Sequence, residues 1–108
     1  MPALKFKAIE PAKVIEISKE LIDELEELIK CPRSSFSIEV DESRYIMDGV
    51  FCEGCPKVEV AWFDRGQEVQ DKAALIITNK VRAAGCTDVD VIFTVLEKNR
   101  YYENGKHF

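Results

Sequence analysis

Residues Met1–Ile9 read MPALKFKAI, and their order of polar and apolar side chains is that of a strand. Leu4, Phe6 and Ala8 fall on one side and Lys5 and Lys7 on the other, the alternation of a half-buried strand. Pro2 lacks a backbone N–H, a defect that costs little at the head of a strand. It also has a chemical reading. Methionine aminopeptidases remove Met1 when the next residue is small, and proline then becomes a terminal secondary amine. A free α-amino group titrates near ~7.7–8.0, and burial lowers that value by disfavouring the ammonium form. Such a group is a neutral base at physiological pH.

Outward from this strand, Pro11 to Ile29 places Val14, Ser18, Leu21, Leu25 and Leu28 at helical spacing, with Ile15, Ile22 and Ile29 beside them. Pro11 suits a first turn, and Cys31-Pro32 ends the run. Asp23, Glu24, Glu26 and Glu27 form the solvated side of that helix. In SFSIEV (35–40) Phe36, Ile38 and Val40 share one face of a half-buried strand. DESR (41–44) interrupts it, and YIMDGVF (45–51) resumes an extended pattern up to CEGC (52–55). KVEVAWF (57–63) is a further strand, and the DRG turn at 64–66 leads into a helix over about 67–84. That helix aligns Val69, Ala73, Ile76, Ile77, Val81 and Ala84, with Gly85 where a left-handed cap is favoured. DVDVIFTVL (88–96) is apolar on both faces, the pattern of a central strand. Asn104-Gly105 predicts a terminal hairpin.

Side by side, the halves repeat strand, long helix, strand. Each unit joins its two strands by a right-handed crossover. The expected fold is therefore α+β, a single domain over 1–108 in which two β-α-β units form a four-stranded mixed sheet with both helices on one face. Two helices cannot cover all of Phe36, Ile38, Val40, Val58, Val60 and Trp62 if Ile92 and Leu96 point away from them, so an apolar patch is expected on the bare face. Association of protomers through it is the economical remedy.

Bulk composition excludes several classes. The 108 residues are 46% hydrophobic and 32% charged, an ordinary globular balance. A formal net charge of −5 disfavours nucleic acid and acidic lipid as partners. No apolar run approaches a membrane span, and no signal peptide heads the chain, so a cytoplasmic protein without membrane partners is expected. Cys31, Cys52, Cys55 and Cys86 then read as free thiols. Cys52 and Cys55 have the spacing of half a zinc site or of a redox pair, but no second pair exists and His107 is the only histidine. Gly54 and Pro56 put the motif in a turn rather than at a helix start. No metal is expected.

Met-Pro heading a strand, duplicated β-α-β units in about this length and a short terminal hairpin together resemble the tautomerase superfamily, which includes macrophage migration inhibitory factor, and within it a bacterial branch. The resemblance implies a homotrimer whose three sheets form a barrel-like interior. It also implies cofactor-independent keto–enol chemistry on a small 2-oxo acid, with Pro2 as the base that takes a proton from carbon. Such chemistry requires a base near neutral pKa and an oxyanion partner in a pocket that excludes water. On this reading Arg33, in the segment after the first helix, holds a substrate carboxylate, the bidentate task that suits arginine. Phe63 forms an apolar wall that lowers the Pro2 pKa, Arg65 beside it is a second anion contact, and Tyr101 and Tyr102 reach a neighbouring protomer's pocket. The chain departs from the vertebrate cytokine in having Cys31-Pro32-Arg33 where that protein has a Pro-Pro pair after a loop lysine. Other readings stand beside this one. The five side chains serve equally as loop charges and packing groups, and the same or a ferredoxin-like fold serves as an oligomeric small-ligand-binding module without turnover. Thiol chemistry at Cys52 and Cys55 is a third class.

Overall fold

The computed structural model describes residues 1–108. In chain order the elements are β1 (Ala3–Lys7), α1 (Pro11–Ile29), β2 (Ser37–Asp41), β3 (Tyr45–Met47), β4 (Val50–Cys52), β5 (Lys57–Phe63), α2 (Gln67–Ala83), β6 (Asp90–Leu96), β7 (Tyr102–Glu103) and β8 (Lys106–His107). Four of them make the expected mixed sheet, in the order β2-β1-β5-β6. β1 runs parallel to β2 and antiparallel to β5, and β5 runs parallel to β6. The two β-α-β units thus meet at the β1–β5 seam, where Ala3 pairs with Ala61 and Lys7 with Lys57.

Each helix follows from its sequence. Proline opens α1, where its missing N–H would have had no partner, and Lys30 closes it with φ 59°. One face of α1 buries Val14, Ile17, Leu21, Ile22, Leu25 and Ile29. The stripe is rotated slightly from the sequence reading, since Ile17 is buried and Ile15 is 74% exposed. On α2, Ala73, Ile77 and Val81 are buried as expected. These residues cover Leu4, Phe6, Val58, Val60 and Trp62, all at most 3% exposed. Burial of side chains of this size contributes roughly 1.5–3 kcal/mol each. The helices are tied across their outer faces by Lys80, whose Nζ lies 2.6 Å from Glu24 and 3.2 Å from Glu20. These carboxylates hold Lys80 above the usual lysine range, the Glu24 hydrogen bond being the larger cause. The acidic side of α1 is thus exposed but partly paired.

Three expectations are corrected. The bare face is not a broad apolar patch. Register places Lys5 between Glu39 and Glu59, and Lys7 between Asp41 and Lys57. Lys7 Nζ lies 3.5 Å from Glu59 and 3.9 Å from Asp41. All of Val58, Val60 and Trp62 fit under the helices because the alternate positions of β1 and β5 turn charge outward. Second, β6 is an edge strand, not a central one. Its Val91 and Phe93 pack on the core, while Ile92 is 45% and Val95 51% exposed. Two-sided apolarity reported a need for cover, not a place in the sheet. Third, residues 45–51 are not one extended run. β3 and β4 form a hairpin about Asp48-Gly49, both with positive φ (52° and 79°), as a two-residue type I′ turn requires. The Asn104-Gly105 turn repeats the device with φ 52° and 84°.

Candidate active site

Pro2 is fully buried at the head of β1, and its carbonyl accepts a hydrogen bond from Ser37 N–H at 3.1 Å. With Met1 in place the Pro2 nitrogen is an amide with no basic lone pair, so the chain's amine belongs to Met1. That amine lies below the ordinary range for a terminal amine. Burial is the larger cause, the Arg65 guanidinium adds to it, and Cys31 opposes it. Arg65 and Cys31 are therefore the neighbours that the fold brings to the N-terminus.

The Arg65 guanidinium lies 6.0 Å from the centre of the Trp62 ring, within reach of a cation–π contact. Its Nε and the indole Nε1 of Trp62 are both buried without a hydrogen-bond partner. Buried donors left unpaired cost about 1–3 kcal/mol each, so an acceptor placed here is stabilised.

Phe63 follows Trp62 at the end of β5, and pairing of Ala61 with Ala3 puts it at the Pro2 end of the sheet. It stands edge-on to Tyr101 and tilted to Phe108, ring centroids 5.5 Å away in each case, and Tyr101 and Phe108 are 4.9 Å apart. The Phe108 N–H donates to Tyr101 O at 3.0 Å, closing the terminal hairpin onto Phe63.

Among the residues singled out from sequence, Pro2, Phe63, Arg65 and Tyr101 gather at this end. Tyr102 points elsewhere: it is 62% exposed and stacks edge-on with His107 at 5.8 Å. Arg33 is engaged with α1. Its Nη1 lies 2.6 Å from Asp23 Oδ1 and 3.7 Å from Glu26 Oε1, and Nη2 donates to Lys19 O at 3.3 Å. Hydrogen bonds from Lys19 and then Arg33 hold the Asp23 carboxyl below the usual carboxylate range. Sequence reasoning missed Trp62, Cys31 and Phe108. Trp62 reads as plain core by its alternation, and only its unpaired N–H distinguishes it; Cys31 is a neighbour through the turn after α1, which periodicity does not place.

A cavity of about 760 Å³ is at the opposite end of the sheet, around Ile9, Tyr45 and Pro56, and none of the residues named for the Pro2 site lines it. All four cysteines are free thiols. Cys55 Sγ lies 3.8 Å from Pro56 O and 4.0 Å from Asp90 Oδ2. No three His, Cys, Asp or Glu side chains stand together so as to hold a metal ion. No helix is long and apolar enough to cross a membrane.

A family model described as "Domain of unknown function (DUF1904)" matches residues 1–107. No curated protein matches the chain. Among solved structures, a DUF1904 domain from Sebaldella termitidis ATCC 33386 is 35% identical with a TM-score of 0.92, and the match covers 100% of both chains. A fused 4-OT, solved as a wild-type symmetric trimer, is 21% identical with a TM-score of 0.73 over 98% of this chain and 94% of that one. A macrophage migration inhibitory factor-like protein from Entamoeba histolytica is 19% identical with a TM-score of 0.63 over 99% and 98%. The fold expected from the resemblance, that of the tautomerase and macrophage migration inhibitory factor superfamily, is the fold observed.

Proposed function

The chain belongs to the DUF1904 family, and from that premise and the site we propose that it is a cofactor-independent tautomerase-like enzyme acting on a small 2-oxo acid. Removal of Met1 frees the Pro2 nitrogen as a secondary amine. Neutral at physiological pH, it takes the proton from the carbon next to the substrate carbonyl and returns it at the other end of the enolate. Arg65 holds the substrate carboxylate and offsets the charge that develops on the enolate oxygen. Phe63, with Tyr101, walls the site from water. Arg33 serves the same anion only by leaving Asp23. Tyr102, facing outward, reaches the site of a neighbouring protomer.

The observation that carries this reading is the chemistry around the terminus. Pro2 is fully buried, the Met1 amine next to it is held below its ordinary range by burial and by Arg65, and that arginine carries a buried N–H with no partner.

Assembly as a homotrimer supports the same reading. The β3–β4 hairpin has no bonded neighbour in the main sheet, and an isolated two-stranded ribbon is marginal in water. Its Ile46, Met47, Val50 and Phe51 are 63–66% exposed. Docking of these side chains on an adjacent protomer covers them, as the trimeric fused 4-OT makes reasonable. A cytoplasmic location agrees with four unpaired thiols.

The test begins with intact mass. A chain lacking Met1 is then assayed for ketonisation of aryl enols and of enol forms of 2-oxo acids. Turnover in the processed chain that falls tenfold or more in Pro2→Ala is expected. Retention of Met1 in the protein from its native host, or equal rates in Pro2→Ala, favours instead the ligand-binding module without turnover.

A further inference from the structure

The chain's two halves repeat, and so do its two sheet ends. Pro2 heads β1 and Pro56 immediately precedes β5, which runs antiparallel beside it. Cys31 follows the left-handed residue that closes α1, Lys30, and Cys86 follows the left-handed residue after α2, Gly85. Tyr101 and Phe108 close the terminal hairpin, and Tyr45 and Cys52 pair at the base of the inner one. At the end of β5 stands Phe63 before Arg65; beyond the end of β1 stands Ile9 before Pro11. Ile9, Pro11, Tyr45, Cys52, Pro56 and Cys86 all line the 760 Å³ cavity. The cavity thus holds the place in one half of the repeat that the Pro2 site holds in the other, with proline, cysteine and tyrosine kept and the remaining positions changed.

Its chemistry differs in two respects. The nitrogen of Pro56 is an internal amide in every form of the chain, so this end has no amine base. Its charges also differ. The position matching Arg65 is Pro11, and the cations come instead from Lys13 and Arg44, with Glu10, Glu42 and Glu53 on the same lining. None of these five groups takes part in an ion pair. Arg44 is steadied from one side only, its guanidinium lying 4.9 Å from the centre of the Phe51 ring, which leaves its N–H edge for a carboxylate. Lys13 Nζ stands beside Gly85, 3.7 Å from where a Cβ there would lie, an ordinary van der Waals distance, and both residues line the cavity.

We propose that this cavity is a second ligand site that binds, without turning over, a small zwitterion of the amino acid class. Arg44 takes its carboxylate, and the unpaired glutamates take its ammonium. A simple anion would meet four carboxylates, Asp41 among them, and a simple cation would meet Arg44 and Lys13. A ligand bearing both charges satisfies each set.

Because the site holds no part of the Pro2 machinery, it is tested without any assay of turnover. Alkylation of the full-length protein by iodoacetamide is followed by mass spectrometry at each cysteine, with L-alanine, L-lysine, propionate or propylamine present. The expected result is saturable slowing at Cys86 and Cys52 by the two amino acids, with Cys31 unchanged and propionate and propylamine at least tenfold weaker. Calorimetric titration should give one site per chain, unchanged in Pro2→Ala and weakened at least tenfold in Arg44→Ala. Absence of saturable slowing, protection of Cys31 in place of Cys86, equal binding by propionate, or unaltered affinity in Arg44→Ala would each overturn the proposal. Loss of tautomerase activity without any of these results would count against the Pro2 reading alone.

Discussion

Arg33 Nη1 lies 2.6 Å from Asp23 Oδ1, on the flank of α1, whereas the Nε of Arg65 is buried with no partner beside the chain terminus. Two arginines that look alike in the sequence are thus in different states. One already has its carboxylate, and the other lacks an acceptor.

On this basis Arg65→Ala should raise KM for a 2-oxo acid by an order of magnitude or more and lower kcat as well, since the same charge opposes the enolate. Arg33→Ala should raise KM less than threefold. Steady-state kinetics on the Met1-processed protein decides the matter, and a larger KM effect at Arg33 than at Arg65 would reverse the assignment.

A second expectation concerns pH. Burial and the Arg65 charge both disfavour the ammonium form of the Met1 amine, and the Pro2 amine that removal of Met1 frees is expected to meet the same influences, since Pro2 is itself fully buried. The neutral base should therefore be present below the ordinary α-amino value of ~8. kcat/KM should rise with pH through a midpoint below that value and then level off. Removing the Arg65 cation relieves the ammonium, so Arg65→Ala should move the rising limb toward higher pH. Its activity should fall more at pH 6 than at pH 8.5. A limb that stays in place would remove Arg65 as the electrostatic neighbour of the base.

Much of this was legible in the sequence because the relevant signals are local. Both helices, β5 and the terminal hairpin lie where apolar spacing, Pro11 and Asn104-Gly105 put them. What escaped depends on neighbours distant in sequence. The two-sided apolarity of 88–96 could not say that β6 is an edge, because exposure of Ile92 and Val95 depends on what lies beside the strand. The pairing of Arg33 with Asp23 joins the segment after α1 to a helix face ten residues back in the sequence, and no periodicity encodes it. Pro2 is legible from its place at the head of the first strand, whereas the matching position of Pro56 depends on the antiparallel pairing of β1 with β5.

The exposed hairpin supplies a third expectation. Phe51→Asp and Ile46→Asp place a charge among side chains that are 65–66% exposed in the single chain. Such changes do little to a surface in water, but in an interface they bury an unpaired carboxylate. The variants should dissociate the proposed trimer at micromolar concentration while keeping the circular dichroism of the fold, as sedimentation would show. A trimer of undiminished stability in both variants would place the interface elsewhere, and an unsubstituted chain that sediments as a monomer would overturn the proposed assembly.

Gly54 supplies the last. It sits in the turn between β4 and β5, and a Cβ added there would fall against the Tyr45 ring, 2.7 Å from Cζ. The clash is with a ring, not with the far end of a flexible side chain, and the Tyr45 backbone that carries the ring is held by pairing with Cys52 across the hairpin. Gly54→Ala should therefore cost about 1–3 kcal/mol, the usual range for overpacking. A lower urea midpoint with an unchanged slope is the signature to look for. If the ring is the cause, the penalty should largely vanish in a Tyr45→Ala background, because the added methyl then occupies the space the ring has left. Equal penalties in the two backgrounds would trace the cost to the backbone of the turn instead, since residues that do not interact give additive changes.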